Sequence, residues 1–246
     1  MLRLENICKT YPKKKKSAVD GLSFEVKKGE VFALVGPKNA GLTSVVKMVA
    51  GVTAPDRGLI FVNGRNNADW PVNCRRYIGY VPEIPRVYRW MDKDKWLDFI
   101  ANVYGLTADE KKDALVRYKG LFRLRTVNGR FSSYSAEEIQ RVMLVSALIS
   151  EPKLLVMDEP FISLGDEMRR ILASECKNRA AEGRSVFFTA NTLSEAGICA
   201  DRIGLMCGGR LIAVGTEESL RAKWAEALAG TEMESVFEKP QWAREE

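Results

Sequence analysis

Two rhythms of apolar residues run along the chain. Residues 2–8 alternate loosely, and Leu22, Phe24 and Val26 alternate with Ser23 and Glu25, so both stretches read as strands with one buried face. Val31 to Val35 and Leu154 to Met157 are continuous apolar runs, which predict strands covered on both faces in a parallel sheet. Leu59 to Val62, ended by the turn pair Asn63-Gly64, and Arg76 to Val81, closed by Pro82, predict two more strands. After Glu83 the period lengthens. Trp96, Leu97, Phe99, Ile100, Val103 and Tyr104 recur at helical spacing, Ala108 to Leu124 is a charged amphipathic stretch, and Phe131 to Ile149 ends in another helix. Beyond the second apolar run, a helix over 167–182, a strand over 185–189, a helix near 193–199, strands over 202–207 and 210–214 and a helix over 217–229 follow in turn. A polar tail, 230–246, carries Trp242. Strands alternating with helices predict an α/β fold with a parallel-sheet core, and the stretch 83–150 reads as a helical insert.

Composition narrows the setting. The 246 residues are 46% hydrophobic and 28% charged, enough for one large domain or a domain with a subdomain. No apolar run approaches the ~20 residues of a membrane span, and Met1-Leu2-Arg3-Leu4-Glu5 does not read as a signal peptide. The net charge is +6, but the basic residues are scattered apart from Lys13 to Lys16, so nucleic acid is not the expected partner. That lysine run reads as a solvated hairpin tip, with acidic lipid headgroups as its sharper alternative. Five cysteines without a C-x-x-C spacing predict reduced thiols in the cytosol, and the absence of histidine excludes histidine bases and histidine metal ligands.

The chemistry gathers at two places. The strand at 31–35 ends at Gly36, and the loop Gly36-Pro37-Lys38-Asn39-Ala40-Gly41-Leu42-Thr43-Ser44 leads into a helix. This follows the phosphate-binding pattern G-x-x-x-x-G-K-[ST], in which glycines let backbone N–H groups converge on phosphate and the helix dipole favours the anion. Thr43 stands where a Mg²⁺-binding hydroxyl belongs, but Leu42 holds the lysine position. The second place is Leu154-Leu155-Val156-Met157-Asp158-Glu159-Pro160, where a buried strand delivers carboxylates to its C-terminal end. Asp158 would hold Mg²⁺ through water and Glu159 would polarise an attacking water.

Together these motifs resemble the ATP-binding cassette (ABC) family, specifically the nucleotide-binding subunit of transporters of the export (ABC-2-like) branch. Tyr11 matches the aromatic that stacks on adenine. Ile78-Gly79-Tyr80-Val81-Pro82-Glu83, Gln140-Arg141-Val142, Leu193-Ser194-Glu195-Ala196, Asp201-Arg202-Ile203 and Gly208-Gly209-Arg210 match further family segments in order. The resemblance implies a P-loop NTPase (RecA-like) parallel core with an N-terminal antiparallel β subdomain. It implies a nucleotide-binding domain over 1–220 with the helical subdomain 83–150 inserted, and a helix end and polar tail over 221–246. It further implies ATP and Mg²⁺ as ligands, a head-to-tail dimer that clamps ATP between one subunit's phosphate loop and the other's signature, and a polytopic membrane permease as partner on the inner face of the cell membrane.

The departures fall on chemistry. Besides Leu42, Glu83 replaces the glutamine that senses Mg²⁺ and the membrane partner. The Leu-Ser-Gly-Gly-Gln signature aligns with Tyr134-Ser135-Ala136-Glu137-Glu138. Gly165 takes the place of an aspartate, and Asn191 that of the histidine contacting the γ-phosphate. Leu42 is expected to face the phosphates, and Glu137 and Glu138 to bring repulsive charge toward them. The expectation is a degenerate cassette, as homodimer or heterodimer, with weak nucleotide binding and weak or absent hydrolysis. The alternative is a working transport ATPase that uses a substitute cation such as Lys38. A cassette acting in translation or DNA repair is not expected, since those usually carry two cassettes or long coiled-coil inserts.

Overall fold

The computed structural model describes residues 1–12, 16–224 and 234–237. Two sheets form the body. Strands β1 (Leu2–Lys9), β2 (Val19–Val26), β4 (Arg57–Val62) and β5 (Arg65–Asn66) build an antiparallel sheet in the order β2-β1-β4-β5. Strands β3 (Val31–Val35), β6 (Ile78–Val81), β7 (Leu154–Met157), β8 (Ser185–Ala190), β9 (Arg202–Cys207) and β10 (Arg210–Gly215) build the second, in the order β10-β9-β3-β8-β7-β6. In it β9, β3, β8, β7 and β6 are parallel and β10 closes the edge antiparallel. The α/β architecture with an antiparallel N-terminal sheet and a parallel core is the one expected from the apolar runs and the resemblance. Every residue of β3, β7 and β8 is buried, as strands covered on both faces of a parallel sheet require.

Helices cover the parallel sheet: α1 (Leu42–Val49), α2 (Pro71–Arg76), α3 (Lys93–Tyr104), α4 (Ala108–Leu121), α5 (Ala136–Leu148), α6 (Asp166–Ala181), α7 (Leu193–Gly197), α8 (Glu217–Trp224) and α9 (Glu234–Phe237). Helices α3, α4 and α5 lie between β6 and β7 in the chain, and α5 packs on α3, α4 and β6. Residues 142–148 of α5 are buried without a break, so this part of the helix is covered nearly all round and sits at the centre of the layer. Between the sheets a second apolar cluster forms, where Phe24 stacks on Phe32 at 5.1 Å and Phe32 meets Phe187 at 6.4 Å.

One sequence expectation changes. The strand expected from Arg76 begins at Ile78, because Pro71 opens a short helix that Arg76 ends. The helix expected over 217–229 is described to Trp224. Residues 225–233 and 238–246, with most of the expected polar tail and Trp242, lie outside the described residues, as do 13–15 of the lysine run.

The sheet order positions the chemistry. Parallel pairing brings the C-terminal ends of β3, β8, β7 and β6 to one edge, with Gly36, Asn191, Asp158 and Glu83 just beyond them. Open parallel sheets collect their sites along that edge.

Candidate functional site

The loop between β3 and α1 takes the conformation its glycines permit. Gly41 has φ +105°, and a Cβ there would come within 2.0 Å of the Ala18 carbonyl oxygen. A Cβ on Gly36 would come within 2.3 Å of the Met206 carbonyl oxygen. Asn39 occupies the left-handed region at φ +70°, which a short amide side chain tolerates. The N–H groups of Lys38, Asn39 and Gly41 have no hydrogen-bond acceptor among the described residues. With α1 starting at Leu42, the loop is a concave array of free donors at a helix N-terminus, which suits a phosphate chain.

A cleft of about 560 Å³ opens over this loop. Pro37 through Ser44, Tyr11, Glu83, Glu159 and Asn191 all line it, so most of the sequence-selected residues meet in one place. Gly36 lies buried at its base. Leu42 lines the cleft as well, while only 6% exposed and packed in the apolar cluster between the sheets. The cause is the apolar surroundings offered by Val45, Val46 and Met206, which an aliphatic side chain joins and a lysine head would leave. Lys38 and Lys16, both exposed, line the cleft, and Lys38 lies near enough to Glu159 to favour its ionised form.

The carboxylates sit deeper. Asp158 is 1% exposed. The Thr189 hydroxyl donates to its Oδ1 at 2.7 Å and accepts from the Glu159 N–H at 3.0 Å, so one side chain at the end of β8 orders both acids. Asp158 Oδ2 is buried without a hydrogen-bond partner among the described residues. The Thr43 hydroxyl lies close enough to favour the ionised carboxylate without completing a bond to that atom. Burial raises the Asp158 pKa, and the charge of Glu83 adds to the rise. Glu159 stands in the left-handed region at φ +47°, and the Asn191 side-chain amide donates to its Oε2 at 2.7 Å. Its pKa too is raised, first by burial and then by Glu83. Thr43, Glu83 and Asp158 also line an adjoining cleft of about 750 Å³ together with Lys47, Tyr80 and Trp96. An unpaired buried carboxylate oxygen beside a hydroxyl is a hard-oxygen donor set, so these residues fit Mg²⁺.

Glu195 was not singled out for the site by sequence reasoning. It is 5% exposed on α7 and accepts from the Asn191 backbone N–H at 3.4 Å. Burial pushes its pKa up to about 7, with the Glu159 charge adding to the rise. Thr189 was missed as well. A threonine at the end of an otherwise apolar strand was its signal. Glu195 lay in view within a family-matching segment, but its burial depends on tertiary packing.

The five signature residues line neither cleft among the described residues. Ser135 is the N-cap of α5. The Glu138 carboxylate accepts from the Ser135 N–H at 2.7 Å and its hydroxyl at 2.9 Å, while the Glu138 N–H donates back to the hydroxyl at 3.2 Å. This reciprocal cap fills the helix end from within the chain. Glu137 turns to the next loop, where its carboxylate accepts from the Gly165 N–H at 3.3 Å and pairs with Arg141 at 3.7 Å. Tyr134 caps the turn before them, its hydroxyl donating to the Gly129 carbonyl at 2.9 Å.

Comparison with known proteins places this geometry. Residues 19–162 match the family described as ABC transporter. The linearmycin resistance ATP-binding protein LnrL of Bacillus subtilis is 33% identical over 223 residues, covering 89% of this chain and 70% of that protein. The Nod factor export ATP-binding protein I of Rhizobium etli is 31% identical, covering 94% of this chain and 72% of its own length. Among solved structures, an ATP-binding subunit of an ABC transporter superposes with a TM-score of 0.83 at 29% identity, over 96% of this chain and 97% of that one.

Proposed function

The chain belongs to the ABC transporter ATP-binding family, and from that premise we propose that it is a subunit with weak nucleotide binding and weak or absent ATP hydrolysis, acting structurally or as a regulator beside a membrane permease. Nucleotide-binding subunits of this family bind ATP and Mg²⁺, pair with membrane permeases and dimerise. The reading for this chain rests on one observation above others. The side chain at the phosphate-lysine position is a leucine buried among apolar neighbours, so the loop offers N–H donors without the cation that normally joins them. A hydrogen bond to a charged group contributes ~1.5–3 kcal/mol, so its loss weakens the grip on a polyphosphate by roughly one to two orders of magnitude. The self-capped start of α5 supports the same reading, because the Ser135 hydroxyl and N–H are already spent on Glu138.

Within the cleft, Tyr11 would stack on a base, the loop N–H groups would hold phosphates, and Thr43 and Asp158 would hold Mg²⁺, which supplies positive charge against the phosphate oxygens when bound. Glu159 would accept a proton from water, and Asn191 fixes the orientation of its carboxylate. Asn191 donates a hydrogen bond where the family's histidine also carries charge. For the permease, Ile84 lines the 750 Å³ cleft and is open to solvent, as are Tyr88 and Phe99, whose rings meet the lining residue Trp96, and Trp90 beside Tyr88. Such a patch suits an apolar partner surface.

Purified full-length protein is the test. ATP turnover should lie near the uncatalysed background, and calorimetry with Mg²⁺ should give weak ATP binding. Turnover in the range of ordinary family members, lost in Lys38→Ala, would overturn this reading in favour of a working ATPase in which Lys38 supplies the missing charge.

A further inference from the structure

The turn after β5 and the short helix α2 carry an exposed face of mixed chemistry. Trp70 is 54% exposed and Val72 59%, and Pro71 between them is exposed as well. Around them stand Arg65, Arg75 and Arg76, all exposed. The Arg65 guanidinium lies over the Trp70 ring at 5.4 Å, and Arg75 Nε donates to the Pro71 carbonyl at 3.2 Å, so two of the three cations are held against the apolar residues. None of the three arginines forms an ion pair with a described residue. Asp69 is the single acid between residues 63 and 77, and the Asn66 side-chain amide donates to it at 2.8 Å. The face also adjoins the 750 Å³ cleft. The Arg75 stem passes 3.6 Å from where a Cβ on Gly51 would stand, and the next residue, Val52, is exposed and lines that cleft. We propose that this arginine–tryptophan face binds the anionic phospholipid headgroups of a bilayer directly, without the permease.

The make-up of the face selects that partner. A guanidinium presents a planar fork that matches phosphate oxygens in pairs, and it leaves water more readily than an ammonium group does. Tryptophan is enriched where headgroups meet hydrocarbon, with its ring in the apolar layer and its N–H in the wet one. Set side by side on one short turn, the two residue types put cations level with phosphates and apolar groups just beneath them. Helices that lie on a membrane surface combine basic and apolar groups in the same way. An acidic peptide is held best in a groove, whereas neither Trp70 nor the three arginines line the two clefts. The contact is separate from the nucleotide cleft, so it goes beyond the functional reading above and stands whether or not the chain hydrolyses ATP. It gives the chain a grip on the membrane beside any it has through a permease.

The test uses the full purified chain without permease or nucleotide. It should sediment with vesicles of equimolar phosphatidylcholine and phosphatidylglycerol and stay in solution with vesicles of phosphatidylcholine alone, and high salt should release it. Arg65→Ala, Arg75→Ala and Arg76→Ala, at exposed positions that leave the core intact, should each weaken binding about fivefold. Trp70→Ala should weaken it while leaving the salt dependence as it was, since the ring contributes apolar contact rather than charge. Unchanged thermal unfolding midpoints show that the variants are folded. Failure of the parent chain to bind the anionic vesicles overturns the proposal and leaves the face to an acidic protein segment. Undiminished binding by the variant carrying all three arginine substitutions overturns it equally, and loss of that binding when Lys13 to Lys16 are replaced by alanine would then assign the membrane contact to the lysine run.

Discussion

The loop at 36–44 and the N-terminus of α5 both lead into helices, and they are held in different ways. The loop leaves backbone N–H groups without acceptors among the described residues. The α5 end is closed by its own serine and glutamate. The difference lies in what holds each in place. The loop is gripped from outside, with Gly36 and Gly41 pressed against the carbonyls of Met206 and Ala18, so its shape does not depend on residue 42. The α5 end is shaped by its own side chains. A change at 138 therefore changes what that end can bind.

Breaking the loop's backbone should have the largest effect. Gly41→Ala puts a Cβ at 2.0 Å from a backbone oxygen at φ +105°, a conformation that side chains rarely adopt. Strain and overlap of this kind should cost roughly 3 kcal/mol or more. Urea unfolding of the variant measures it, and a loss under about 1 kcal/mol would mean that the loop is plastic rather than gripped.

Most of the fold that holds this loop was legible in the chain. Strands β3 and β7 announced themselves as unbroken apolar runs, β8 as a strand over 185–189, and the Gly36…Gly41 spacing marked the loop. Helix α2 was not legible, because six residues are too few to display a helical period. The site was legible in part. Alignment of motifs located Leu42 but not its burial, which depends on the apolar cluster between the sheets that it joins. The pattern Ser135-Ala136-Glu137-Glu138 was read as a damaged signature. It is also the S-x-x-E of a capping box, and that local reading is the one its hydrogen bonds follow. The reach of Glu137 to Gly165 spans two elements distant in the chain, so no local pattern announced it.

Adding a charge to the loop sharpens the comparison next. Leu42→Lys would exchange buried apolar surface for a stem that must carry its ammonium into the cleft, at a stability cost of about 1–2 kcal/mol. ATP affinity should rise on the order of tenfold or more, because the loop's N–H groups already lack acceptors among the described residues and the variant adds a cation beside them. Calorimetry of the variant against the parent chain reads this directly. An unchanged affinity would mean that another feature, such as Glu83, limits binding.

The smallest effect is also the most selective, because α4 carries an internal control. Thr107 and Glu110 form the same reciprocal cap, with bonds of 2.8, 2.8 and 3.3 Å against 2.7, 2.9 and 3.2 Å at Ser135 and Glu138. Equal geometry predicts equal local cost, so Glu110→Ala and Glu138→Ala should each destabilise the protein by about 0.5–1 kcal/mol in urea unfolding. The consequences for ligands should differ. Only Glu138→Ala removes a negative charge from the signature helix and frees Ser135 for an outside acceptor. Only that variant should increase ATP-dependent dimer formation in analytical ultracentrifugation. If both variants dimerise alike, the cap on α5 is structural alone, and the weakness of the site resides in the loop.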